Sequence, residues 1–389
     1  MSFTRLVYPG MAMIAVCYGL ARFGYGLLLP EFSRDLGLDK ATSGWIASGS
    51  YFFYCVAILL AIRFTPRLGP RRVIAAAGFS AFVGMLLMAL SQNPIWFAAG
   101  VWTAGASTGL ASPPYATVVS GRITKGLQDR ANTWINSGTG LGIILSGPAA
   151  LLLAGYWRTA YLVFALIALL VLCWNTAVIP PGGREEETES KGSSLLRKGI
   201  APMFSASIII GISSASYWTF SRGYLVQESS YSGFVTSTFW MIIGIAGIIG
   251  GIAGKVIEGI GLARSYRFGV VSLALSILLL PVFLSRIFPV FLSGALFGAS
   301  YVYLTGVLLV WGIRVYPDRT VAGIGVPFLL LALGQMIGSQ LAGMVAQAFN
   351  YPAMFILFAI VGATGLFIKD SAEKRKKQTC RNGESAKRD

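Results

Sequence analysis

Twelve apolar runs, each long enough to cross a bilayer, take up most of the 389-residue chain. A spanning helix needs roughly 20 mostly apolar residues, because inside hydrocarbon the segment must satisfy its own backbone polar groups. The runs lie near 8–29, 42–62, 73–91, 95–118, 132–154 and 159–179, then near 202–221, 233–254, 266–285, 288–313, 320–346 and 352–369. The connections between them leave no room for a large soluble domain. Only 12% of the residues are charged, about half of the roughly 25% usual in soluble chains. The 47 glycines suit close helix packing in lipid. The fold expected is an all-α integral membrane protein with twelve transmembrane helices. The first run carries Arg22 and lacks a small-residue cleavage site, so it reads as a helix and not as a signal peptide.

A formal charge of +16 could point to nucleic acid, but the placement of the charges points to topology instead. With the N-terminus inside, 25 of the 31 Lys and Arg residues fall on inner segments. The outer loops hold Arg34, Lys40, Arg158, Arg222 and Arg286, and Arg22 lies within a span. This obeys the positive-inside rule and predicts a multi-pass cell-membrane protein with both termini cytoplasmic. The expected partners are a small-molecule substrate and the lipid bilayer, with no nucleic acid, and the expected state is a monomer. The chain has no histidine, which excludes His-based metal sites, triads and proton relays. Four cysteines without paired spacing suggest neither a disulfide framework nor a metal knuckle. With no nucleophile–base constellation and no nucleotide loop, no enzyme activity and no cofactor are expected.

The longest polar interruption, rich in Glu, Gly and Ser, divides the chain. The expected organisation is a bundle over 1–180, a cytoplasmic linker over 181–201, a second bundle over 202–371 and a basic tail over 372–389. The halves repeat at an offset of about 192 residues. Gly69 maps to Gly261, Arg72 to Arg264, Pro66 to Glu258 and Gly142 to Gly334. Duplicated six-helix halves point to a secondary transporter with its site at the midplane between them.

The loops after spans 2 and 8 resemble the signature of the major facilitator superfamily. Gly254, Glu258, Gly261 and Arg264 stand at the family's spacing in the second copy, and Arg67, Gly69, Arg71 and Arg72 in the first. The first copy departs at Ile62 and Pro66, where the family has glycine and an acid. The resemblance implies two pseudo-symmetric six-helix bundles, alternating access, and loops that latch the cytoplasmic side, with Glu258 carrying the better-formed latch. It also implies that spans 3, 6, 9 and 12 face lipid, while spans 1, 2, 4, 5, 7, 10 and 11 line a cavity. Gly147-Pro148 partly matches the Gly-Pro hinge of export-type members, and the usual arginine of span 4 is missing. Arg22-Phe23 resembles a bacterial branch with Arg-Phe in its first helix.

Arg22 is read as the one charge inside a span, where an arginine costs about 2.5–3.5 kcal/mol on insertion scales. No Asp or Glu is read inside any span; Glu31, near the outer end of span 1, is the nearest acid. Tyr18, Arg22 and Tyr25 follow the i, i+4, i+7 rule for one helical face, and tyrosines beside a guanidinium suit a small carboxylate or planar anion. Arg22 snorkelling outward, or tying two helices together without touching substrate, is the structural alternative. Tyr51, Asn136, Tyr217, Trp218, Tyr303 and Gln335 are further cavity candidates, with Tyr54, Asn132, Trp240 and Tyr301 behind them. Ser112-Pro113-Pro114-Tyr115 reads as a bend in span 4. Two functions follow: movement of a small organic anion, or efflux of drugs and amphipathic metabolites. A membrane sensor that has lost transport is a third class, permitted by the altered first latch.

Overall fold

The computed structural model describes residues 2–153, 155–180, 200–316 and 320–368, which are almost wholly helical, with no strand among them. Of the expected linker only residues 200–201 are described, and the expected basic tail lies wholly outside the described residues. The first half contains α1 (Phe3–Leu36), α2 (Lys40–Leu68), α3 (Pro70–Leu90), α4 (Pro94–Arg122), α5 (Lys125–Leu152) and α6 (Trp157–Val178). The second contains α7 (Ile200–Glu228), α8 (Gly233–Gly250), a short α9 (Ala253–Ile260), α10 (Leu262–Val282), α11 (Ile287–Val315), α12 (Thr320–Ala348) and α13 (Tyr351–Thr364). Each expected run falls on one of these helices, with α8 and α9 sharing the eighth. Among the described residues, ten helices are long and apolar enough to cross a membrane. The Ser/Thr-bearing α4 and the shorter α13 occupy the two remaining places.

Local sequence sets the boundaries. Asp39, Asn93, Ser232 and Asn350 each accept a bond from the backbone N–H three residues on, capping α2, α4, α8 and α13. The bond from Thr42 also holds the Asp39 carboxyl below the usual carboxylate range. Gly69 and Gly261 end α2 and α9 with φ of 83° and 82° and nearly equal ψ. That backbone region is nearly closed to residues with a Cβ, so the residues paired by the sequence repeat also share one turn geometry.

Packing follows the polarity of the helices. The apolar α3, α6, α10 and α13 pack mainly within their own half, and residues such as Phe79, Leu170, Phe268 and Ile360 point outward. Between the halves, α1 packs on α7, α2 on α12 and α5 on α8. The approach is close: a Cβ on Gly26 in α1 would collide with the carbonyl of Trp218 in α7. We call the end of the bundle with Phe3 and Ile368 the terminal end, and the other, with the Gly37–Asp39 turn, the far end.

One sequence expectation is corrected. Arg222 is not in a loop but inside α7, 3% exposed. The polar stretch Thr219-Phe220-Ser221-Arg222 hid the fact that the helix runs on to Glu228. Arg22 is therefore not the only charge buried in a span.

Alanine at Gly69 or Gly261 should destabilise the protein by about 1–3 kcal/mol, seen as a lower midpoint of thermal unfolding in detergent. Equal penalties at the two sites are expected because their dihedral angles match.

Candidate functional site

In α1 the residues Ala15–Phe23 form π-helix rather than α-helix. Such segments are rare and often mark functional sites. This one carries Tyr18 and Arg22 into the seam between the two halves. Arg22 is 8% exposed, and its Nη2 donates to Gln335 Oε1 of α12, in the other half, at 2.7 Å. Gln335 Nε2 in turn donates to the Tyr301 hydroxyl of α11 at 3.1 Å. The guanidinium carbon lies 4.5 Å from the ring centre of Tyr51 and 4.7 Å from that of Tyr54, both on α2. Phe23 and Tyr18 stand at 5.4 and 5.9 Å. The Tyr18 hydroxyl shares a 2.9 Å hydrogen bond with Ser112 of α4.

The magnitudes account for a buried arginine without a carboxylate. A desolvated cation–π contact contributes up to about 2 kcal/mol, and a hydrogen bond to a charged group about 1.5–3 kcal/mol. Several rings and one amide thus offset an insertion cost of about 2.5–3.5 kcal/mol. They do not neutralise the charge: among the described residues, no carboxylate forms an ion pair with Arg22. Donors are also in surplus. Arg22 Nε, Trp218 Nε1 and Trp240 Nε1 are buried with no acceptor, as is the Ser339 hydroxyl. Trp218 joins the cluster by stacking on Phe23 at 4.0 Å and meeting Tyr301 edge-on at 5.3 Å.

Of the residues picked from sequence, Arg22, Tyr18, Tyr51, Trp218 and Gln335 come together here, with Tyr54 and Tyr301 from the weaker set. The others lie apart. Tyr25 donates to the Ser43 carbonyl at 2.7 Å and packs on Phe32 within the first half; the π-helical turn breaks the periodicity that put it on the Arg22 face. Tyr217 bonds Ser293 and stacks on Phe297 inside the second half. Tyr303 packs on Phe268. Asn136 is exposed and bonds back to the Asn132 carbonyl of its own helix. Ser112 and Ser339 carried no signal as site residues, since a serine in a membrane helix looks the same whether it bonds its own backbone or faces a cavity.

The expected gating residues occupy two regions. Arg67, Arg71, Arg72, Glu258 and Arg264 lie on the helix ends that flank Gly69 and Gly261, where Arg67, Arg72, Glu258 and Arg264 are exposed. Among the described residues, no ion pair of Glu258 is found. Gly254 has open space around it. Gly147 and Pro148 lie inside an unbroken α5, and Gly147 packs against Met241 of α8 in the seam.

The sequence profile of the Major Facilitator Superfamily matches residues 11–326. The chain belongs to that superfamily. It is 25% identical to the transcription regulatory protein OpdE of Pseudomonas aeruginosa, over 93% of this chain and 92% of that protein. It is also 25% identical to the 4-hydroxybenzoate transporter PcaK of the same organism, over 51% of this chain and 45% of that one. Monocarboxylate transporter 13 of Rattus norvegicus matches at 25% identity over 88% of this chain and 82% of that protein. Among solved structures, a mutant of the nucleoside transporter NupG superposes with a TM-score of 0.77 at 13% identity, covering 93% of this chain and 98% of that one. The fold is thus that of the superfamily, and the protein is a multi-pass membrane transporter whose substrate is a small molecule.

Replacing Gln335 with Leu removes the side-chain amide that accepts from Arg22. Thermal stability should fall by about 1.5–3 kcal/mol, whereas Tyr25→Phe, which loses one neutral bond, should cost about 0.5–1.5 kcal/mol.

Proposed function

We propose that this protein moves a small organic anion across the cell membrane by alternating access, with Arg22 as the recognition group. The observation that carries the proposal is a guanidinium buried in the seam between the halves, with a free Nε–H and no ion-paired carboxylate among the described residues. A carboxylate substrate would accept from Nε and neutralise the charge. Trp218 Nε1 and the Ser339 hydroxyl supply neighbouring donors, and the rings of Tyr51, Tyr54 and Phe23 give a planar substrate apolar faces. Tyr18 and Gln335 hold the guanidinium in place. Two relatives at 25% identity, a 4-hydroxybenzoate transporter and a monocarboxylate transporter, support the same class.

In this reading the moving bodies are residues 1–180 and 202–371, joined by a cytoplasmic linker, and both termini are cytoplasmic. Placing the terminal end inside agrees with the lysine and arginine bias. Gly147, Pro148 and the loop residues Arg67, Gly69, Arg71, Arg72, Gly254, Glu258, Gly261 and Arg264 would then act in gating. The protein would work as a monomer. Drug efflux finds less support, because an uncompensated cation in the seam disfavours the lipophilic cations that such exporters often carry.

A thermal-shift screen of the purified protein checks the substrate class, since a ligand that binds only the folded state raises stability by mass action. Aromatic and aliphatic monocarboxylates should raise the unfolding midpoint, and Arg22→Gln should abolish the shift while the protein stays folded. Arg22→Lys should restore it in part, because an ammonium lacks the planar two-point fork. Shifts produced by lipophilic cations and retained in Arg22→Gln would overturn the proposal.

A further inference from the structure

The seam between the halves carries another feature on its outward face. A groove of about 460 Å³ runs along residues 45–53 of α2 and 336–344 of α12, beside Trp102 of α4. Its volume falls in the range of about 300–1,000 Å³ usual for ligand pockets, and its two walls belong to different halves. One wall is aromatic: Trp102 meets Trp45 edge-on at 5.1 Å and stacks on Phe53 at 5.8 Å, with Phe52 next to Phe53. Gly49 makes room for this wall, because a Cβ there would collide with the Trp102 indole. The indole Nε1 donates to the Ile46 carbonyl at 3.1 Å. The other wall is thioether and aliphatic, from Met336, Ile337, Leu341 and Met344. Behind the groove, Gly44 of α2 packs on the Ser339 carbonyl and Gly343 of α12.

Two polar side chains open into this groove, Ser48 and Gln340. Gln340 is exposed beside Ile337, Leu341 and Met344, on a face of α12 turned to lipid. Among the described residues, neither Ser48 nor Gln340 forms a hydrogen bond. A bare amide in hydrocarbon is costly, so Gln340 calls for an acceptor that the bilayer can bring. Its depth says which one. Both helices have 29 residues, about 43 Å, against a hydrocarbon core of about 30 Å. Ser48 and Gln340 lie about 12 Å from the far ends of their helices, just inside the hydrocarbon boundary. Nearer that end stands Trp45, at the level where indoles favour the membrane interface. Deeper in, the lining is apolar, with Phe52, Phe53, Met336 and Ile337.

We propose that the groove binds one acyl chain of a diacyl phospholipid from the far-side leaflet, with Gln340 and Ser48 donating to the ester carbonyl at the head of that chain. The lining follows the order of such a lipid from the surface inward: interface, ester, hydrocarbon. Among the described lining residues none is charged. A free carboxylate or an ammonium group would therefore enter without a counter-charge, whereas a neutral ester needs none. A chain seated here touches both halves at once and holds α2 against α12. The inference rests on the membrane fold and not on the anion reading.

The test uses the purified full chain in mixed detergent–lipid micelles, with a phosphatidylcholine that carries a diazirine near the end of one acyl chain. After irradiation, the label should map to Phe52, Phe53, Met336 and Ile337 in preference to the outer faces of α3, α6 and α10, and it should saturate with dose. Unlabelled diester phosphatidylcholine should displace the probe about three- to tenfold more effectively than its dialkyl ether analogue, the factor expected for one hydrogen bond. Gln340→Leu should remove most of that preference. Met336→Trp, which fills the deep part of the groove, should abolish the labelling there, and Phe79→Trp on the outer face of α3 should not. Label spread evenly over the lipid-facing helices would overturn the proposal. So would equal displacement by ester and ether lipids in the native chain, or a fatty acid or lipophilic cation that outcompetes the diester lipid. The ester–ether comparison needs no variant, so it decides the matter even where a substitution prevents folding. Failure of the carboxylate thermal-shift screen would leave this result intact.

Discussion

The desolvated guanidinium of Arg22 is the interaction on which the rest of this structure depends. A full positive charge in the interior of a membrane protein is tolerated only if enough groups converge on it. The convergence draws from both halves: tyrosines of α1 and α2 from one, Gln335 of α12 from the other. Arg22 therefore also fastens the halves together. Its charge, however, remains without an ionic counterpart among the described residues, and the proposed anion recognition rests on that.

The second buried cation, Arg222, makes an instructive contrast. It sits in the same seam but has a carboxylate, Glu31, and a backbone carbonyl of the opposite half. One arginine is held by neutral groups, while the other is paired with a carboxylate of the opposite half. A buried pair loses much of its stability when one member is neutralised.

Much of the fold was legible in the sequence because bilayer thickness sets a length that apolar runs must meet. The duplication was legible too: Gly69 and Gly261, paired by an offset in sequence, adopt the same rare backbone angles. The site was legible only in part. Arg22 stood out because a charge in an apolar run is conspicuous, and Gln335 because a long amide in such a run is also rare. Tyr25, Tyr217 and Tyr303 could not be sorted from Tyr51 and Tyr54 by pattern. A tyrosine ring serves equally well as packing, and the π-helical turn at Ala15–Phe23 shifts which residues share a face.

What the sequence determined by itself is the solvent, the number of apolar runs, the repeat and the presence of one conspicuous intramembrane charge. Each follows from local chemistry: run length, residue spacing and the cost of a charge in hydrocarbon. What the tertiary structure decided is which distant residues meet. Gln335 lies 313 positions from Arg22 and Glu31 lies 191 from Arg222, and no local pattern connects them. Those pairings depend on how α1 packs against α7 and how α2 packs against α12, where small residues such as Gly26 let the backbones come close. Helix-to-helix approach is a property of two surfaces together, so neither segment records it alone.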